Sequence, residues 1–173
     1  MSFYKDLIIN RIEWHRGIFP EISGYFSINP SELNDEFKKD EIIKDFMEKY
    51  DFNFDEMLNL IYYDRYDYYG NIISNSMVRF SVHYIEFLCP GCPGYYGINT
   101  YVEYPELADF DDIKTYLKSI IEEDEYEKIG DDKLKYVVER VHEIVCSMIH
   151  NNTVLIKEII EELMEEKDNN ETG

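Results

Sequence analysis

The chain has 173 residues, 45% of them hydrophobic and 16% aromatic, and a formal net charge of −20. That apolar and aromatic content is enough for a core, which excludes a disordered acidic chain. The charge opposes direct binding to DNA, RNA or an anionic lipid surface, because like-charged surfaces repel.

The length fits a single domain over 1–173, with a sub-boundary near 70 or 105 as the places where it could divide. Ser2 to His15 reads as a helix, with Phe3, Leu7, Ile8 and Ile12 on one side, ended by Gly17 and Pro20. Ile18 to Ile28 reads as a loop or short extended piece. Asn29-Pro30-Ser31-Glu32 has the features of a helix start: Asn can cap, Pro suits the first helical position, and Glu reaches back to the cap N–H. That helix is expected to run to about Tyr50, because Ile42, Ile43, Phe46, Met47 and Tyr50 share one helical face. Asn53-Phe54-Asp55-Glu56 repeats the capping pattern and opens a third helix carrying Met57, Leu58, Ile61 and Tyr62, interrupted from Tyr63 to Gly70.

From Val78 to Phe87 the apolar residues change to alternation, with Val78, Phe80, Val82 and Tyr84 on one face, and Ile98 to Tyr104 alternates too. Period two is the mark of a strand, and two such runs joined by a Pro/Gly-rich turn predict a hairpin. The last third returns to helical spacing, with helices expected over Asp109–Glu123, Asp131–Ile149 and Thr153–Lys167. Asn151-Asn152 reads as a break and 168–173 as a frayed tail. The fold class is therefore α+β, mostly helical with about six helices around a central antiparallel β-hairpin or small sheet.

No apolar run approaches the roughly 18–20 residues of a membrane helix, and the N-terminus has no basic segment followed by an apolar one. Three Cys without such a leader argue against a disulfide framework. A cytoplasmic location is expected. The single Ala, at 108, among abundant Ile, Asn, Lys and Tyr points to an AT-rich genome, as in a low-GC bacterial host or its phage.

Cys89-Pro90-Gly91-Cys92-Pro93-Gly94 resembles the zinc knuckle of zinc ribbons and rubredoxins over those six residues. In that motif a tight turn brings two thiolates onto one tetrahedral ion. A ribbon needs a second Cys pair, which this chain lacks. His142, Cys146 and His150 are spaced four apart on a helix, so neighbours face the same way. Cys89, Cys92, Cys146 and His142 (or His150 in its place) would make a closed Cys3His site for one structural zinc ion. The plainer reading is a Pro/Gly turn and a buried Cys on an apolar helix face.

From Glu103 to Asp132 there are 12 acidic residues against three Lys. Asp109, Asp111, Asp112, Glu122, Glu123, Asp124, Glu125 and Glu127 are the densest of them. They follow no EF-hand spacing. They read either as a solvated helical surface or as a set of charges spaced like those of a polynucleotide. Tyr62-Tyr63-Asp64-Arg65-Tyr66-Asp67-Tyr68-Tyr69 packs five Tyr into eight residues, and Tyr is an interface-forming residue. Tyr63, Asp64, Tyr66 and Asp67 are candidate partner-binding residues, unless they merely continue the helix and begin the sheet.

The chain carries no phosphate-binding loop, dinucleotide fingerprint, nucleophile elbow or zinc-protease helix motif. No catalytic residues are assigned and an enzyme is not expected. The expected role is an acidic inhibitory binding protein that presents a nucleic-acid-like surface to a basic nucleic-acid-binding protein or nuclease. A phage or mobile-element anti-defence factor, of the anti-CRISPR or antirestriction kind, fits best. The alternatives are an immunity protein against a bacterial toxin and a zinc-stabilised adaptor. Leu155, Ile159 and Leu163 on the last helix offer a stripe for a homodimer.

Overall fold

The computed structural model describes residues 7–15, 19–87 and 95–172, and side chains within 22–82 and 100–162. The fold is α+β and mostly helical, with six helices and a small sheet among the described residues. Contacts divide the chain into two units. One comprises 1–26, 78–103 and 149–173; the other comprises 27–77 and 104–148.

The first unit holds a four-stranded sheet ordered β1-β2-β5-β6. Its strands are β1 (Leu7–His15), β2 (Phe19–Ser27), β5 (Met77–Phe87) and β6 (Tyr95–Val102). β1 and β2 pair antiparallel from Leu7↔Phe26 to His15↔Phe19, and β5 and β6 from Phe80↔Val102 to Phe87↔Tyr95. Alternation decides the faces: Ile22, Phe26, Val78, Phe80 and Val82 are buried, while Ser23, Tyr25, Arg79 and Ser81 between them are partly open. The Phe26 and Phe80 rings meet at 6.4 Å. Ile149, Ile156, Ile159 and Ile160 are buried as well.

The second unit is built from helices α1 (Pro30–Lys38), α2 (Glu41–Tyr50), α3 (Phe54–Ile61), α4 (Phe110–Ile120), α5 (Glu123–Ile129) and the first part of α6 (Asp131–Thr172), with a short hairpin of β3 (Arg65–Tyr66) and β4 (Ile72–Ile73). Asn29 and Asn53 cap their helices at the positions the sequence announces, the reciprocal bond from a Glu being made at Asn53. Asn29 Oδ1 accepts from the Ser31 and Glu32 N–H groups, and Asn53 with Glu56 forms a reciprocal capping box. Pairwise packing joins α1 to α2 and α3, α3 to α4, and α4 to α5. Leu33, Phe37, Ile43, Phe46, Met57, Leu58, Ile113, Leu117, Leu134, Val137 and Val141 are buried in its core.

Five local expectations are corrected. Of the helix expected over Ser2–His15, residues 7–15 form a strand: Leu7, Ile8, Ile9 and Ile12 are mostly β-branched, and the backbone pairs with β2 along β1. The segment from 18 to 28, expected to be at most a short extended piece, is the nine-residue strand β2. The helix expected over 29–50 is two helices, because Asp40 turns extended and caps a new start, its Oδ1 accepting from the Ile42 and Ile43 N–H groups. Asn151-Asn152 does not break the chain. α6 passes through them and runs on through the residues expected to fray, to Thr172. An Asn pair costs a helix only modestly, and the buried Ile149 and Ile156 hold the turns on either side. The helix expected over Asp109–Glu123 also ends early, at Ile120, and α5 follows it. The turn at 88–94 lies outside the described residues.

Candidate functional site

The acidic and tyrosine segments singled out in the sequence both fall in the second unit. Their meeting point is a strip of backbone pairing. Tyr62 and Leu107 form an isolated antiparallel bridge. Next to it the Tyr63 N–H donates to Glu106 O at 3.1 Å, and the Ala108 N–H to Ile61 O at 2.8 Å. This pins the end of α3 beside the start of α4. The Tyr63 hydroxyl then donates to Asp112 Oδ2 at 2.7 Å and accepts from the Asp109 N–H at 3.1 Å. The Asp109 N–H favours the phenolate. Donation to the Asp112 carboxylate, with some desolvation and the negative charges of Asp109 and Asp112, outweighs it, so Tyr63 titrates above the usual phenol range.

A cavity of about 200 Å³ opens at this junction, with Tyr63, Asp64, Ala108, Asp112, Ile113 and Tyr116 among its walls. Asp64 is exposed, and Tyr116 projects from α4.

Tyr66 and Asp67 belong to the β3–β4 hairpin, whose tip is tied by one carboxylate. Asp67 Oδ1 accepts from the Tyr69 N–H at 2.9 Å and the Asn71 N–H at 2.8 Å. The Asn71 backbone bond is the leading reason that the Asp67 carboxyl lies below its ordinary range. Gly70 takes φ +83°, a left-handed turn position that a side chain would strain. At the root, the Arg65 guanidinium donates to Ser74 O at 2.9 Å and to Met77 O. The result is a fixed loop showing Tyr68 (96% exposed), Tyr69 (85%) and Ile72 (69%) to solvent. The Tyr68 and Tyr69 rings meet edge to face at 5.6 Å.

The remaining acids lie on α4, α5 and the residue before α5. Asp111 and Asp112 occupy the first turn of α4, and Glu123, Asp124 and Glu125 the first turn of α5, where carboxylates suit the helix dipole. Glu125 is paired internally, with Lys128 at 3.1 Å and Lys49 at 3.6 Å, and the Lys128 bond leads in holding its carboxyl low. Among the described residues, no lysine or arginine lies within ion-pair distance of Asp111, Glu122, Glu123, Asp124 or Glu127. All five are exposed.

Of the four residues considered for zinc, the structure brings together His142 and Cys146. Cys146 Sγ lies 3.6–3.7 Å from the ring nitrogens of His142, whose Nδ1 shares a hydrogen bond of 2.8 Å with the Tyr62 hydroxyl. Burial holds the imidazole below and the thiol above their ordinary values, and it raises Tyr62 likewise, so the trio is neutral. A metal would have to draw the proton off that thiol. Cys89 and Cys92 lie outside the described residues. Among the described residues no group of three or more His, Cys, Asp or Glu is placed to hold a metal ion, and no helix is long and apolar enough to cross a membrane.

Comparison with protein-family models, curated proteins and solved structures finds no match to this chain.

Reasoning from the sequence missed two parts of this site: Ile72, exposed beside the tyrosines of the hairpin tip, and Tyr116. The tip had a signal, since the tyrosine run itself ends in an Asp-x-x-Gly turn, Asp67 to Gly70. Tyr116 gave none, because nothing local ties it to Tyr63.

Proposed function

We propose that the chain is an inhibitory binding protein whose anionic helices occupy the basic cleft of a nucleic-acid-handling partner. A phage or mobile-element anti-defence factor, acting on a restriction or RNA-guided nuclease complex, is the class this reading favours. The observation that carries it is the unpaired, exposed set on α4 and around α5. Residues 122–127 hold five carboxylates in six positions. Six helical residues rise about 9 Å, and duplex DNA carries roughly five charges over that distance. Subtracting the internally paired Glu125 still leaves a density that a groove evolved for phosphates attracts, chiefly through faster association. The hairpin tip beside Asp64 and Asp67 supplies the apolar contact that electrostatics alone lacks, since Tyr anchors dominate interface energies.

The test is a panel of purified restriction–modification and RNA-guided effector complexes, each assayed for DNA binding with and without the protein at about 50 and 300 mM salt. At least one member should lose DNA at low salt and regain it at high salt. For that member, Lys at Glu122, Glu123 and Asp124 together should weaken binding about 100-fold, roughly 2.7 kcal/mol. If no member loses DNA, or if the triple variant binds as tightly as the parent, the proposal is wrong.

A further inference from the structure

We propose that the cavity beside Tyr63 is a receptor for one arginine side chain of a protein partner. This deepens the reading above, on which it rests for the partner's basic character. Its own test does not require that partner.

Size selects a side chain. At about 200 Å³ the cavity is smaller than the roughly 300–1,000 Å³ of small-molecule sites. Its walls supply what a guanidinium requires. Tyr63 and Tyr116 offer aromatic rings, over which a weakly hydrated planar cation is attracted. Asp64 and Asp112 offer carboxylates, which a guanidinium fork can engage through paired N–H donors. Asp112 spends one oxygen on the Tyr63 hydroxyl. Its other oxygen, and both of Asp64, have no donor among the described residues.

The protein's own cations are committed elsewhere. Lys114, on the same helix as Asp112, pairs with Asp131 at 3.1 Å and lies over the Tyr126 ring at 5.4 Å. Lys118, one turn further, lies over that same ring at 5.0 Å. Two carboxylates in an aromatic cavity are therefore left with no counter-charge among the described residues, in a unit that already repels further negative charge. An inorganic divalent ion fits poorly, because it wants six or more oxygens and would leave the rings unused. Lysine, a compact and strongly hydrated point charge, gains less from the flat walls than arginine does.

The probe is the capped tripeptide acetyl-Gly-Arg-Gly-amide, titrated into the isotope-labelled full chain and followed by amide chemical shifts. Its citrulline analogue, the same shape without charge, and its lysine analogue are the controls. Saturable shifts are expected at Tyr63, Ala108, Asp112 and Ile113, at least fivefold weaker for lysine and absent for citrulline. Asp64→Asn should weaken the arginine peptide several-fold. Asp64→Asn with Tyr116→Ala should abolish saturation while the remaining spectrum stays folded. Shifts spread evenly over α5 and α6 without saturation, equal binding of the lysine peptide, or indifference to both variants would each overturn the pocket. The two ideas separate cleanly. An arginine peptide that binds here, with no nuclease in the panel responding, keeps the receptor and removes the polynucleotide-like role. A responding nuclease with no arginine response does the reverse.

Discussion

Each unit of the molecule contains a group of tyrosine and carboxylate side chains, and the two groups differ in one ingredient. On the open face of the sheet, Arg79 lies over the Tyr25 ring at 5.5 Å, donates to the Tyr25 hydroxyl at 3.1–3.2 Å, and pairs with Glu103 at 3.4 Å. The tyrosine bond comes first among the causes that raise the guanidinium further. There the chain supplies its own cation. At the junction of α3 and α4, Tyr63, Tyr116, Asp64 and Asp112 form a comparable surround, and among the described residues no cation pairs with its carboxylates. Overall charge follows the same division. The helical unit carries 25 acidic and 11 basic residues, the sheet unit 12 and 6. The contrast is between a group that holds its own cation and one that, on the proposal above, receives a partner's.

If that contrast is right, loss of Arg79 from the sheet group should register in unfolding, and a change at Asp64, the carboxylate of the helical group with no hydrogen-bond donor among the described residues, should not. Arg79→Gln removes a charged donor from Tyr25 and Glu103. Since the site is partly open, solvent screening reduces the loss to about 1–2 kcal/mol, measurable as a lower urea midpoint. An unchanged midpoint would erase the distinction.

Next in size comes Asp40, which joins α2 to α6. It accepts from the Tyr136 hydroxyl at 2.7 Å and meets Arg140 at 3.7 Å. Burial works against its charge, but the hydrogen bonds from Tyr136, Ile43 and Ile42, with the Arg140 charge, outweigh it and hold its carboxyl below the usual range. A lowered folded pKa stabilises fully above the unfolded value near 3.9 and ceases to do so as pH falls through the folded one. Asp40→Asn should thus cost about 0.5–1 kcal/mol at pH 7, with the difference from the parent shrinking below about pH 4. A difference that stays constant down to pH 2 would show that charge is not what Asp40 contributes.

The smallest effect sharpens the comparison from the other side. Asp64→Asn touches no side-chain partner among the described residues and should change the unfolding free energy by less than about 0.5 kcal/mol. A larger loss would mean that the helical group, too, is structural.

The parts legible in the sequence were those governed by neighbours along the chain. Asn29-Pro30 and Asn53 with Glu56 announced their caps, and the alternation from Val78 announced β5. The N-terminal strand was read as a helix for a specific reason. Its pairing with β2 shifts register between Ile9 and Arg11. A period-two pattern that changes phase places apolar residues three and four apart, which imitates a helix. α5 escapes the pattern because seven residues with four acids carry little apolar periodicity. Of the site, the acids and tyrosines were visible as composition. The hydrogen bond from Tyr63 to Asp112 spans 49 positions, and no local pattern encodes a contact at that separation.

The Asp67 turn has a bearing on time as well as on shape. A flexible loop must be frozen when it docks, and that ordering subtracts from the contact energy. Here a single carboxylate has already done the freezing, since it holds Tyr69 and Asn71 by their N–H groups. If a partner docks here as proposed, the backbone part of that ordering is already met and only the rings remain to be fixed, a gain felt mainly as slower dissociation. The lifetime of an encounter on this hairpin is therefore set in part by a residue that need not touch the partner at all.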